Sequence, residues 1–209
     1  MINYLNIEMF LKFMGEKNKQ DNTHKKDNAN VIDGAPETLT GQRCPICMKD
    51  TLTLMEMDRD VPYFGKVYIF SMSCSDCGYH KADTESEKNE PAKYTLEITS
   101  EEDMNIRVVK SSTATVKIPR IMSIEPGPTS NGYITNIEGL LNRVKVMLEK
   151  ARDDAEDNEE RKKAKNMLKK VQDAMWGNDK LTVILEDPHG NSAIISEKAV
   201  KAKMKPITQ

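Results

Sequence analysis

Cys44, Cys47, Cys74 and Cys77 are the side chains best suited to chemistry in this 209-residue chain. They are its only cysteines, and they form two Cys-x-x-Cys pairs. Such a turn presents two sulfurs to one side of a metal. A second turn brought alongside completes the thiolate tetrahedron that a structural Zn2+ prefers. The 26 residues between Cys47 and Cys74 are longer than the shortest zinc motifs but suit two strands and a turn. Pro45 stiffens the first turn, and Gly78 lets the backbone bend after the second. The spacing predicts one structural Zn2+ held by all four cysteines. A thioredoxin-type redox site would need one Cys-x-x-Cys near a βαβ pattern, and that pattern is absent. Four thiolates leave no open position for water, which weighs against metal catalysis. His80, three residues past Cys77, is then expected at the surface or beside the site rather than as a ligand.

The elements that must position these residues read as β-structure. Residues 51–58 and 66–73 are rich in β-formers and predict two strands joining the cysteine turns, a zinc ribbon. Further on, Tyr94, Leu96 and Ile98 alternate, as do Ala114, Val116 and Ile118, and Leu181, Val183 and Leu185. Ala193 to Ile195 follows a Gly-Asn turn. Period-two alternation predicts strands with one buried face, and several in succession predict a sandwich or jelly-roll-like barrel. Residues 83–91 read as a charged break. One helical segment interrupts the pattern. Ile137, Leu140, Leu141, Val144 and Leu148 fall at helical spacing, with Thr135 and Glu138 as a capping box. Ala164, Met167, Leu168, Val171 and Met175 form a second stripe that Gly177 ends. The charged run between them reads as solvated helix, so residues 136–177 are expected to be an inserted αα-hairpin. Trp176 at its end is expected to be buried under the β-domain.

The division expected is an N-terminal extension (1–38), a zinc ribbon (39–82), a β-domain (83–200) and a C-terminal tail (201–209). Residues 16–37 offer almost nothing apolar to bury and read as a disordered linker. A short amphipathic helix over residues 2–14 is one reading of the start; an unstructured start is the other. No basic n-region or cleavage site marks a secretory signal, and no run reaches the ~20 apolar residues that span a bilayer. The expected compartment is the reducing cytoplasm, where thiols stay free for metals. The net charge of −2, with acids and bases intermixed, gives no electrostatic footprint for nucleic acid.

Two other motifs carry groups capable of chemistry. Asp187-Pro188-His189-Gly190-Asn191-Ser192 is expected to be a structural turn. His189 and Ser192 could be drawn as base and nucleophile, but nothing in the sequence places them together. Asp103, Arg107 and Lys110 read as a polar network, a partner surface or an ordinary strand face.

Several segments together resemble the ZPR-type zinc-finger family in its short archaeal-like form. They begin with Cys44-Pro45-Ile46-Cys47, Val61-Pro62-Tyr63-Phe64-Gly65 and Cys74-Ser75-Asp76-Cys77-Gly78-Tyr79. They continue through 103–111, 116–119, 135–141 and 186–192. The resemblance implies a zinc finger similar to that of the translation initiation factor 2 β-subunit. It also implies a following double-stranded β-helix that carries a helical hairpin. Eukaryotic members look like two tandem copies of this unit and bind translation elongation factor 1-alpha, in whose folding they are implicated. The resemblance thus implies a zinc-binding, non-enzymatic protein that assists that factor. A nucleic-acid-binding zinc ribbon is the alternative, resting on Lys49, Arg59, Tyr63, Phe64, Lys66, Tyr79, His80 and Lys81 near the knuckles. Interleaved acids count against it. A small-molecule or enzymatic β-barrel is a third reading, disfavoured because His24, His80 and His189 lie far apart.

Overall fold

The computed structural model describes residues 36–204 apart from 63, 88 and 89. The expected helix at residues 2–14 and most of the expected linker lie outside that range. The chain is mainly β, with a zinc ribbon followed by a jelly-roll domain that carries a helical hairpin. Its strands are β1 (Glu37–Gln42), β2 (Leu52–Val61), β3 (Gly65–Cys74), β4 (His80–Ser86), β5 (Ala92–Ile98) and β6 (Arg107–Lys110). There follow β7 (Thr115–Ile118), β8 (Met122–Ile124), β9 (Tyr133–Asn136), β10 (Leu181–Asp187), β11 (Ala193–Ile195) and β12 (Val200–Lys203). The helices α1 (Ile137–Asp153) and α2 (Asn158–Met175) form the hairpin, and a 3-10 helix spans Glu101–Asn105. By contacts the chain divides into two units. Of the described residues, those up to Met57 and Ser71–Lys81 form the smaller, and Asp58–Phe70 with those from Ala82 onward form the larger.

Among its described residues the smaller unit has little to bury. Leu52, Leu54 and Met72 gather around Cys44 and Cys74, with Cys47 and Tyr79 packed against them. β1 pairs antiparallel with β2, placing Leu39 opposite Leu54, and β1 to β4 lie in order in one sheet.

The larger unit sandwiches a five-stranded sheet, ordered β12-β5-β10-β7-β8, with a three-stranded sheet, β11-β6-β9. Its core draws Leu96 and Ile98 from β5, Val108 from β6, Val116 and Ile118 from β7 and Val183 and Leu185 from β10. The alternation in β10 explains its central place: Leu181, Val183, Leu185 and Asp187 all point inward. The fourth of these is a carboxylate with no exposure to solvent. A buried carboxylate is tolerated only when it is hydrogen-bonded. Asp187 accepts from the hydroxyls of Ser111 at 2.8 Å, Ser192 at 2.5 Å and Thr113 at 3.3 Å, and from the His189 amide at 2.9 Å. The turn after β10 also holds β4: Asn191 accepts the Ser86 amide at 3.0 Å, and the Ser86 hydroxyl donates to the Gly190 carbonyl at 3.1 Å. Gly190 has φ +76, and a Cβ there would fall 2.3 Å from the Glu90 amide nitrogen, so only glycine fits.

Several elements depart from the sequence expectation. β4 runs to Ser86, into the expected charged break, because its inward residues Thr84 and Ser86 are polar. Hydrogen bonds satisfy them, and no apolar alternation marks them. β12 occupies the start of the expected tail; all four of its residues are exposed, and backbone pairing with β5 holds it. Helix α1 begins one residue later than expected. β9 extends through Asn136, so Asn136 rather than Thr135 is the cap and accepts the Gly139 amide at 2.8 Å. All five residues of the first stripe are buried. Trp176 is 61% exposed, against expectation. The stripe ends at buried Met175, and the next residue turns about 100° off that face.

Asp103 is 3% exposed and ion-paired with Lys198 at 2.6 Å. Burial alone would push its pKa up, but the bond from Lys198 and the amides of Thr99 and Ser100 outweigh it and hold the carboxyl below its ordinary value. A carboxyl depressed in the folded state stabilises above its unfolded pKa of about 3.9, and that contribution is lost as pH falls through the folded value. Urea midpoints of the larger unit should therefore fall as pH drops below about 4, and Asp103→Asn should flatten that dependence. A fall of equal size in the variant would assign the effect to other groups.

Candidate metal centre

The two cysteine turns are built alike. In the first, the Met48 amide donates to the Cys44 carbonyl at 3.0 Å and the Cys44 amide to the Lys49 carbonyl at 2.8 Å. In the second, the Gly78 amide donates to the Cys74 carbonyl at 3.2 Å and the Cys74 amide to the Tyr79 carbonyl at 2.8 Å. Each turn needs a left-handed residue directly after its second cysteine: Met48 at φ 61 and Gly78 at φ 71. Glycine takes that conformation freely, whereas a residue with a Cβ loses about 1–2 kcal/mol. The repetition brings four sulfurs together.

All four Sγ atoms lie within 4.8 Å of one another. Cys44 Sγ is 3.7 Å from Cys77 Sγ, and Cys47 Sγ is 3.7 Å from Cys74 Sγ. A disulfide would need about 2.0 Å, so these thiols are not bridged. Sulfurs at about 2.3 Å from a tetrahedral zinc stand about 3.8 Å apart, and the observed spacing fits that shell. Cys44 and Cys74 are buried, Cys47 is half-buried and Cys77 is exposed.

Donors around the sulfurs favour thiolates. The Ile46 amide points at Cys44 Sγ at 3.5 Å, and Thr51 Oγ1 lies 3.2 Å from Cys74 Sγ. The Thr51 hydroxyl, followed by the Cys77 amide, draws the Cys74 thiol down to about 6. Cys77 behaves oppositely. The Tyr79 amide pulls it down, but burial and its bonds to the other three sulfurs prevail and push it up to about 12. Cys47 is also raised: the Lys49 amide is outweighed by burial and the sulfurs of Cys74 and Cys44. Four sulfurs this close cannot all ionise alone, and a divalent cation is what lets them do so.

The structure brings together the four predicted cysteines and leaves the other candidates apart. Among the described residues, His80 is not part of the metal-holding group; it is exposed, with Nδ1 2.9 Å from the Ser73 hydroxyl. Ser192 is buried and bonded to Asp187, whereas His189 is exposed, so they make no base–nucleophile pair. The bases considered for nucleic acid are largely engaged: Lys49 pairs with Asp76 at 2.6 Å, Lys66 pairs with Asp58 at 3.0 Å, and Arg59 donates to the Asp58 carbonyl. Phe64 packs into the larger unit's core, and Tyr79 packs beside the cysteines. Lys110, for which a polar network, a partner surface and an ordinary strand face were all open, is buried, with its ammonium on the Ser111 carbonyl at 2.9 Å and over the Tyr133 ring. Sequence reasoning missed the left-handed Met48. Its place matching Gly78, one residue past a Cys-x-x-Cys, is the signal that could have revealed it.

Met48 is 60% exposed, so its side chain contributes little packing. Met48→Gly should raise the smaller unit's stability by about 0.5–1 kcal/mol, whereas Gly78→Ala should lower it by about 1 kcal/mol. Denaturant titration of the metal-loaded protein measures both; equal effects would contradict the matched-turn account.

Residues 37–89 match the model of the ZPR1 zinc-finger domain, and residues 102–208 match that of the ZPR1 jelly-roll domain. A ZPR1-like protein of Methanocaldococcus jannaschii is 41% identical over 157 residues, covering 74% of this chain and 79% of that protein. One of Pyrococcus horikoshii is 38% identical, covering 77% of this chain and 75% of that protein. The zinc finger chaperone zpr1 of Schizosaccharomyces pombe is 35% identical over 134 residues, 62% of this chain but 29% of that longer protein.

Proposed function

The chain belongs to the ZPR1 zinc-finger family, and on that premise we propose that it is a non-enzymatic chaperone for translation elongation factor 1-alpha. In this reading Cys44, Cys47, Cys74 and Cys77 hold one structural Zn2+. The ion supplies the charge that lets four thiolates share one small volume, and it fixes the two turns against each other. The protein works in the reducing cytoplasm, where the thiols stay available to the metal. The ribbon (39–82) and the β-domain (83–200) present surfaces to the client.

The observation that carries this reading is the closed four-sulfur shell. A metal with all its positions taken by protein has no seat for water or substrate, so it shapes a surface rather than catalyses. A relative carrying the name zinc finger chaperone supports a protein client, and the family resemblance supplies the elongation factor. The ion-paired lysines beside the turns weigh against the nucleic-acid alternative, since a phosphate would have to displace Asp58 and Asp76 from them.

The test is capture of purified elongation factor 1-alpha by the immobilised, zinc-loaded chain, with and without GTP. Capture is expected, together with an increased yield of active factor on refolding. Cys74→Ser should abolish both. No capture in either nucleotide condition would remove this reading.

A further inference from the structure

The larger unit contains a cavity of about 780 Å3 that the metal centre does not involve. Its apolar wall is formed by Phe64, Tyr94, Ile106, Ile194 and Ile195. The volume lies within the range of built ligand sites, and two aromatic rings on an otherwise aliphatic wall suit a bulky apolar group. The sheet order explains why the space is open. β12 ends the five-stranded sheet and β11 ends the three-stranded sheet, and both contribute to the lining. The cavity therefore lies where each sheet would receive its next strand.

Three observations identify the occupant. First, β12 pairs on one side only, with β5, so its other edge offers unmatched backbone donors and acceptors among the described residues. Val200 on that strand is 67% exposed. Second, the register sets Lys201 opposite Tyr94, whose ring faces the core, and the Lys201 ammonium sits 5.8 Å from the ring centroid. A solvent-accessible lysine on the Tyr94 face of an edge strand discourages indiscriminate pairing and favours a strand that brings an acid to that face. Third, the lining carries charges of both signs, Arg107 and Lys201 against Glu90 and Glu197. None of the four has a salt-bridge partner among the described residues, although Glu186, Glu97 and Asp103 of the same unit are paired. A polypeptide supplies all that these features require: backbone for the edge, alternating side chains for the cavity, and charges of either sign.

We propose that this cavity is a peptide-binding site, in which an extended polypeptide segment adds as a strand to β12 and inserts a bulky apolar side chain between the edges of the two sheets. The mode is strand addition, in which main-chain bonds give affinity and pockets for alternate side chains give selectivity. From the proposed function it takes only that the client is polypeptide; it depends on neither the elongation factor nor the metal.

The test uses the zinc-loaded full chain and a fluorescein-labelled peptide, Lys-Val-Thr-Phe-Thr-Glu-Thr, whose Val, Phe and Glu share one face when extended. Fluorescence anisotropy should show saturable binding. Replacing the peptide's Phe with Ser should weaken it about tenfold, and Ala199→Trp, which fills the cavity from its lining, should do the same. Lys201→Glu should weaken binding of this peptide and restore it for a peptide with Lys in place of Glu. If Ala199→Trp fails to fold, methyl spectra of the unaltered chain still decide: Ile106, Ile194 and Ile195 should shift on titration. No binding, binding that leaves those methyls unmoved, or saturation by the apolar dye bis-ANS without peptide binding would overturn the proposal. No elongation factor is present, so failure of its capture leaves this result standing, and the reverse also holds.

Discussion

Four cysteine sulfurs crowded within 4.8 Å of one another set the terms for the smaller unit. Among the described residues its core beyond the cysteines is Leu52, Leu54 and Met72, too little apolar surface to hold a fold by burial alone. Neutral thiols at these distances compete for donors, and bare thiolates repel. The arrangement becomes favourable when a divalent cation sits among them, and such coordination contributes on the order of 10–16 kcal/mol in small sites. The details of the turns follow from this. Both cysteine turns repeat one pattern of amide bonds, and the left-handed backbone that the pattern demands is met without strain by Gly78 and at a cost by Met48.

The larger unit is held differently. It buries enough of Leu, Ile and Val to stand on packing, and it then places Asp187 at the end of its central strand. The hydroxyls around that carboxylate come from β10's own following turn and from the turn between β6 and β7. The turn at 187–192, expected to be structural, is therefore a polar clasp. It ties β10 to the end of β4 through Asn191 and Ser86 and excludes any side chain at Gly190.

The sequence was most legible where chemistry or periodicity is local. Two Cys-x-x-Cys pairs announced the cluster of four sulfurs, and the 137–148 stripe announced α1. It was least legible where burial is polar or pairing is purely backbone. Thr84 and Ser86 face inward in β4 yet read as polar loop, and Lys110 is buried in a strand where a lysine suggests surface. β12 buries nothing and is defined only by its ladder to β5. Trp176 shows the limit of composition: a large aromatic at the end of an apolar stripe looks buried, but one further helical step turned it to solvent. The cavity could not be read at all, because its wall is assembled from chain segments around Phe64, Tyr94, Ile106 and Ile194 that only the fold brings together.

On the proposed reading the two units divide the work of a binding protein: one would be shaped around a cation with no free coordination position, and the other is a packed sandwich whose β12 edge is open among the described residues. X-ray absorption at the zinc edge of the protein as isolated tests the central claim most directly. The account predicts one zinc per chain with four sulfur neighbours at about 2.3 Å and no nitrogen or oxygen in the first shell. A shell containing oxygen or nitrogen, or protein that stays folded in the ribbon with no bound metal, would contradict it.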